Sequence, residues 1–561
     1  DVVAGGAPGY LGPRGVAMYR TMFDTSTVSP MRLQFQACSF YCRVFVNGKE
    51  IGEHRAGGYV AFHLDVPSDV LAAGSNELFV LADNRFNSTT APLHTGGDFW
   101  HYGGLMRSVE LHTMAEKPVL WRAYVQPTNS DVTDPEQTAS PDAVDITLTL
   151  SAATDAGSTI DFTLAFDDGA VMDMSGTVSV NGTVVVKGVK VPNAKLWSPT
   201  QPNLHTVAVT LRGGVVTERF GLRSFGTSKE ARLTINGEVT KLVGWNHHTQ
   251  WPITAASPTD DQIDADVALL KKGNANYVRG AHYPHDPRMM DRLDEAGIVF
   301  WSETIGPSVS LANTQDPVFM KYQIQQLTEM IDNAMNHASV LTWGWFNEGP
   351  SNSVDACPAY GQCNDYARAR DPSRFTTWAD DKDLGGKCYE HATLISFNNY
   401  PGWYNHEGDK DAPLSWNSVA ASVQAGTTNG TKGKPFVISE TGAGGVYEWS
   451  DNATDAKWTL KYQAEIIIGD VNVAISNINI SGITLWHFYD FKVDNCGNEW
   501  PCHGKPGQEN NTHCEYDHAP PTTFAQLKAE GPPNCTYIEI NGRPGGENHK
   551  GSLDFWRREK P

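Results

Sequence analysis

"WGWFNEGPS", Trp343 to Ser351, sets Asn347 and Glu348 directly after a run of bulky, strand-forming residues and halts that run with Gly349 and Pro350. It reads as a strand delivering one carboxylate at its end. Outward from it, further strand-like runs recur in both directions: "KLVGW", "ANYVRG" and "IVFWSE" before it, "FTTWAD", "LISFNNY", "PFVISE" and "ITLWHF" after it. Between them lie helical patterns. In "SPTDDQIDADVALLKKGN", Ile263, Val267 and Leu270 share a face, acids crowd the first turn, and Lys271, Lys272 and Gly273 close the end. "DPRMMDRLDEAG" has Asp286 as N-cap, Pro287 in the first turn and Gly297 as a stop. Eight strands with intervening helices over roughly 330 residues have the rhythm of a (β/α)8 TIM barrel, placed at residues 227–561.

Upstream the texture differs. Residues 1–116 carry short alternating runs such as "RVFVNGKEIGEH", where Val44 and Val46 share a face and Asn47-Gly48 forms a hairpin turn. They predict an antiparallel β-sandwich of jelly-roll type. Residues 117–226 continue the alternation in "VDITLTL", "TIDFTLAF" and "GTVVVKGV", which predicts a smaller, immunoglobulin-like β-sandwich.

The 561-residue chain is 40% hydrophobic, with 16 Trp, 19 Tyr and 22 Phe, so it folds around sizeable cores. Its net charge of -21 argues against nucleic acid or an anionic membrane surface as partner. The most apolar long stretch, Ala464 to Trp486, is interrupted by Glu465, Asp470, Asn472, Asn477 and Asn479, so no transmembrane span is expected.

The start at Asp1 fits a processed secreted protein or a trimmed chain. Seven N-x-Ser/Thr sequons, at Asn87, Asn181, Asn429, Asn452, Asn479, Asn510 and Asn534, favour secretion, as do nine cysteines. Cys357/Cys363, Cys496/Cys502 and Cys38/Cys42 are close enough in sequence to pair, although spacing leaves connectivity open, and the odd count leaves a thiol over. No C-x-x-C pair points to zinc.

In a barrel, functional side chains gather at the C-terminal strand ends. Glu348 ends the fourth strand run and Glu440, in "PFVISETGAGG", ends the seventh. The "NEGPS" and "SETG" motifs, with the order sandwich, sandwich, barrel, resemble glycoside hydrolase family 2, the family of β-galactosidases, β-mannosidases and β-glucuronidases. The likeness spans nearly the whole chain: "VNGKEIGEHRAGGYVAFHLDV" resembles its first domain, "LWSPTQPNLH" and "FGLRSF" its second, and "LVGWNHHTQWP" its barrel start, while the N-terminus looks short of edge strands.

That resemblance implies Glu348 as acid/base and Glu440 as nucleophile of a retaining mechanism, which needs carboxyl groups about 5 Å apart. It implies Asn347 on the sugar 2-hydroxyl. Glu303, in "WSETIG", carries the same Ser-Glu-Thr triplet and competes with Glu440 on geometry alone; the family pattern favours the seventh strand. "FNNYPGWY" nominates Asn398, Tyr400 and Tyr404, "GDFWHYGGLMRSV" nominates Asp98, and His247 and Trp486 complete the pocket, with His248 behind it.

The terminal "GRPGGENHKGSLDFWRREKP" resembles the Asn-x-Lys element of β-glucuronidases, so Asn548 and Lys550, with Arg543 beside them, are expected to grip a sugar carboxylate; "RREK" reads as a solvated basic tail. The implied activity is a cofactor-free, metal-free exo-β-glucuronidase of a secreted, fungal-like, homo-oligomeric kind, acting on a small-molecule or glycan glucuronide. A β-galacturonidase or β-galactosidase, or a non-catalytic carbohydrate-binding protein, are the alternatives.

Overall fold

The structure is a computed structural model. It describes residues 15–26, 28–55, 57–85, 99–114, 119–134, 141–151, 155–167, 169–447, 457–492, 513–515, 534–536, 539–540, 543–544 and 547–560.

The N-terminal unit faces two antiparallel sheets against each other. One is ordered Val16–Thr25, Gly74–Asp83, Tyr41–Val46, Lys49–His54; the other Phe62–Val66, Met31–Phe35, Val109–Thr113. Their inward alternation buries Phe35, Val44, Val46 and Val80. The hairpin expected at Asn47-Gly48 is present, Val46 pairing with Lys49 and both turn residues having positive φ (50° and 76°), as a type I′ turn requires. The next unit is a seven-stranded sandwich. A sheet of Val119–Pro127, Ala143–Ser151 and Thr183–Lys190 packs on one of Met172–Thr177, Thr159–Phe166, His205–Leu211 and Gly214–Phe220. Ile146, Leu148, Phe162, Leu164, Val207 and Val209 fill it.

The eight strand runs all appear as parallel strands of one sheet: β1 (Leu242–Asn246), β2 (Tyr277–Gly280), β3 (Val299–Glu303), β4 (Val340–Gly344), β5 (Phe375–Thr377), β6 (Ile395–Asn398), β7 (Phe436–Thr441) and β8 (Gly482–Leu485). β1 pairs with both β2 and β8. The seam between β5 and β6 closes through Asp380, whose N–H donates to Ser396 (3.3 Å) and whose carbonyl accepts from Asn398 (2.8 Å). Helices α1 (Asp260–Lys272), α2 (Pro287–Ala296), α3 (Pro317–Ala334), α4 (Cys357–Arg370), α5 (Trp416–Ala425) and α6 (Leu460–Ser476) surround it. The link from β5 to β6 instead holds only two 3-10 turns, Asp383–Gly385 and Tyr389–His391.

The expected caps are in place: Asp286 accepts from the Arg288 N–H, and Gly297 ends α2 at φ 69°. Sheet and helices share one core, in which each buried Val, Ile or Phe contributes about 1.5–3 kcal/mol. Among the described residues no helix is long and apolar enough to cross a membrane.

Domain contacts orient the first sandwich over the barrel mouth. Tyr59 stacks on Tyr283 at 4.0 Å, and Phe99 lies 4.8 Å from His248. Of the cysteines, Cys38 is bonded to Cys42. Cys357 is bonded to Cys388 rather than to Cys363. The short spacing misleads because Cys357 and Cys363 ride the same helix, which fixes them apart on its surface. Cys363 is the buried free thiol among the described residues, and Cys496 and Cys502 lie outside them.

Candidate active site

β4 stops at Gly344, four residues before Glu348. Phe346 and Glu348 both adopt positive φ (50° and 54°), so the backbone coils at the strand end and tips the Glu348 side chain over the barrel. The Glu348 N–H donates to the Ala379 carbonyl beyond β5 at 2.8 Å, pinning that coil. Glu440 lies inside β7, and Gly442 follows at φ 135°, where a Cβ would press on the Trp486 carbonyl oxygen at 2.9 Å.

Arg279, at the end of β2, joins these strands. Its guanidinium is fully buried and donates to Glu440 Oε1 (2.7 Å), Asn246 Oδ1 (3.0 Å) and Asn347 Oδ1 (2.8 Å), with three contacts of 2.8–3.0 Å to Glu303. Burial opposes a charge here, yet Glu303 and Glu440 together raise the Arg279 pKa. Burial likewise pushes the Glu303 carboxyl up, but Arg279 and His282 outweigh it and hold the group below its ordinary value.

These contacts separate the two Ser-Glu-Thr glutamates. Glu303 has no exposed surface, and both its oxygens are taken by Arg279 and His282. Glu440 keeps a sliver of exposure, receives Arg279 on Oε1 and the Tyr400 hydroxyl on Oε2 at 2.7 Å.

Asn398, at the end of β6, links the two candidate catalytic acids. Its amide donates to Glu348 Oε1 and Asn347 Oδ1, both at 3.0 Å, and its oxygen accepts from Ser439, the residue before Glu440. Tyr400 is buried, and burial followed by the Glu440 charge pushes its pKa well above the usual range, so it stays a donor. A Tyr400→Phe variant is expected to lose about 1.5–3 kcal/mol of transition-state stabilisation, the worth of a hydrogen bond to a charged acceptor, or roughly 10- to 100-fold in kcat. Steady-state kinetics on a chromogenic glycoside checks this.

The terminal loop reaches the same mouth. The Lys550 ammonium is buried, donates to the Tyr404 hydroxyl at 2.7 Å and sits 4.7–5.5 Å from the ring centres of Tyr400, Trp403 and Tyr404. Among the described residues no carboxylate lies within ion-pair distance of it. Asn548 is buried beside it, its side-chain oxygen accepting the Lys550 N–H at 3.2 Å. Trp486 is buried and stacks on His282 at 4.9 Å, whose Nε2 lies 4.0 Å from Glu440.

Three expectations need correcting or bounding. His247 does not face the acids: its nitrogens meet Asp266 and His285, each at 3.1 Å. His248, set behind the pocket by the sequence, is the residue whose ring meets Trp486 (5.5 Å) and His282 (5.4 Å). Nor is "RREK" a solvated tail, because Arg557 is buried against Asp266 at 2.9 Å and Lys560 against Asp490 at 2.8 Å. Asp98 and the Arg543 side chain lie outside what the structure describes. Sequence reasoning missed Arg279, Asn246 and His282; the signal for Arg279 was a cation ending the otherwise uncharged run "ANYVRG".

Asp291, Asp294 and His337 gather potential metal-ligand atoms on the barrel's outer layer. That group is already satisfied by the protein. Burial disfavours charging His337, but Asp294 and Asp291 raise its pKa, while Arg219 pairs with Asp291.

Three family models match the chain in series: the sugar-binding domain of glycosyl hydrolases family 2 over residues 10–115, a second domain of that family over 131–223, and its TIM-barrel domain over 227–503. A β-glucuronidase from Bacteroides fragilis is 29% identical over 66% of this chain and 55% of its own length. One from Paenibacillus borealis is 26% identical over 82% of this chain and 79% of its own. The chain spans about half the length of the first curated relatives it matches. A crystal structure of a β-galacturonidase from Eisenbergiella tayi bound to galacturonate superposes with a TM-score of 0.79, covering 98% of this chain and 88% of that one at 24% identity, which speaks to the fold.

Proposed function

We propose, from the premise that the chain belongs to glycosyl hydrolase family 2, that it is a retaining exo-β-D-glucuronidase removing a terminal glucuronic acid from an aglycone or glycan. Glu348 protonates the glycosidic oxygen while a Glu440 oxygen attacks the anomeric carbon, so the C–O bond to the aglycone breaks as an ester to Glu440 forms. Water then attacks the same carbon, gives its proton to the Glu348 carboxylate and releases Glu440. Arg279 and Tyr400 fit this division of labour, because each donates a hydrogen bond to Glu440, one to each carboxylate oxygen, and together they fix its orientation. Asn398, hydrogen-bonded to Glu348 and Asn347, holds the acid side of the site in register with the nucleophile strand.

The observation that carries the sugar assignment is the buried Lys550 ammonium. A cation taken out of water without an anionic partner is costly, and a sugar carboxylate offsets that cost when it binds. The relatives called β-glucuronidase support the same choice. A galacturonide presents the same carboxylate with the opposite hydroxyl at C4, so it is the second reading.

Lys550→Ala is expected to lose about 2–4 kcal/mol of transition-state binding for p-nitrophenyl β-glucuronide, the cost of stranding one member of a buried charge pair. The galactoside and galacturonide are assayed alongside. An unchanged glucuronide rate in the variant, or a wild-type preference for the neutral sugar, would end the assignment. Secretion belongs to the same proposal and rests on the sequons and on the bonded cysteines.

A further inference from the structure

The geometry points to Lys560 as a positioning residue that sets acidic-sugar selectivity by holding the loop that carries Lys550. This inference rests on the uronic-acid reading above. The Lys560 side chain is almost wholly buried, and its ammonium donates to Asp490 Oδ1 (2.8 Å), the Gly445 carbonyl (2.6 Å) and the His549 carbonyl (3.1 Å). Those three acceptors match the three donors of an ammonium.

What the knot grips is specific. Asp490 also accepts the Gly551 N–H at 2.9 Å and meets the His549 ring at 3.2 Å, so one carboxylate holds the residues on both sides of Lys550. The Gly445 N–H donates to the His549 carbonyl at 2.9 Å, and the His487 N–H to the Lys550 carbonyl at 2.8 Å, which ties the loop to the segments after β7 and β8. Among the described residues, Lys550's own side chain makes one hydrogen bond, to Tyr404, which is 59% exposed and a weak anchor by itself. The position of the ammonium therefore depends on the backbone that carries it as well as on the three rings around it.

A charged group meant to meet a carboxylate must be held to within about half an ångström. A loosened loop instead pays its ordering cost on each binding event. Lys560 touches neither Glu348, Glu440 nor Arg279, so its removal acts through Lys550.

Lys560→Met keeps the stem and removes the donors; Asp490→Asn keeps the Gly551 acceptor and removes the charge. Each is expected to raise KM for p-nitrophenyl β-glucuronide by about 10-fold or more while kcat moves less than about threefold, the signature of lost uniform binding. kcat/KM for p-nitrophenyl β-glucoside is expected to stay within about twofold. In the Lys550→Ala background, Lys560→Met is expected to add under about twofold, since interacting residues are non-additive.

An equal loss on both sugars in both variants, or effects of Lys550→Ala and Lys560→Met that simply multiply, overturns the inference. So does a silent Lys560→Met when Lys550→Ala is damaging, and that result leaves the uronic-acid reading intact. A silent Lys550→Ala removes the reading itself.

Discussion

Glu440→Ala is expected to lower kcat by about 10⁴-fold or more, and added azide is expected to restore turnover and yield an α-configured glycosyl azide. The small anion fits the space left by the carboxylate and attacks the anomeric carbon from the nucleophile's side, inverting it once because no second displacement follows. Proton NMR of the product reads the anomer directly. Glu303→Ala provides the contrast: it frees the Arg279 guanidinium and disturbs Glu440 indirectly, yet opens no space on the substrate side, because Glu303 is fully enclosed. Its activity loss is expected to be insensitive to azide. Rescue in the Glu303 variant and none in the Glu440 variant would exchange their roles.

The barrel was legible because its evidence is local and repeated. Each strand is a short apolar run bounded by helix caps such as Asp286 and Gly297, and tertiary packing had only to close what the rhythm announced. The β5 to β6 link broke the rhythm without hiding it, since "FTTWAD" and "LISFNNY" remain strand-like on their own. Connectivity that depends on three-dimensional approach was not legible, and Cys388, which is distant in sequence, outcompeted Cys363 for Cys357.

The two histidines show a finer limit. Side chains alternate across an extended segment, so Asn246, which faces Arg279, shares its side with His248, while His247 turns outward to Asp266. Parity was readable only once Asn246 was known to point inward, and nothing in "GWNHHTQ" states that. Arg279 stayed hidden for a related reason: one arginine in a strand run reads as a surface residue until the two carboxylates that neutralise it are brought together by folding. The tail misled in the opposite direction, because charge density alone suggests solvent and not the buried partners Asp266 and Asp490.

Arg279→Met is expected to destabilise the barrel by about 3–5 kcal/mol at neutral pH, the loss seen when one partner of a buried ion pair is removed and the other is left charged. Urea unfolding followed by tryptophan fluorescence measures it, since Trp301 and Trp343 are enclosed in this region. The loss should depend on pH with a definite sign. In the native protein the folded Glu303 pKa lies below its ordinary value, so the group adds stability above the ordinary carboxyl range and loses it as pH falls through the folded pKa. Without Arg279, burial dominates and raises that pKa, so the variant is penalised near neutrality and relieved as acid protonates the carboxyl. Glu440 and His282 also face the guanidinium, from β7 and from the segment after β2. The stability gap between native and variant proteins should therefore narrow from pH 7 toward pH 4. Adding Glu303→Leu to Arg279→Met should recover part of the loss at pH 7, because an apolar pair of similar volume carries no uncompensated charge. A gap that widens in acid, or a double variant no more stable than the single one, would mean that the Arg279 to Glu303 pair is not what holds this side of the barrel.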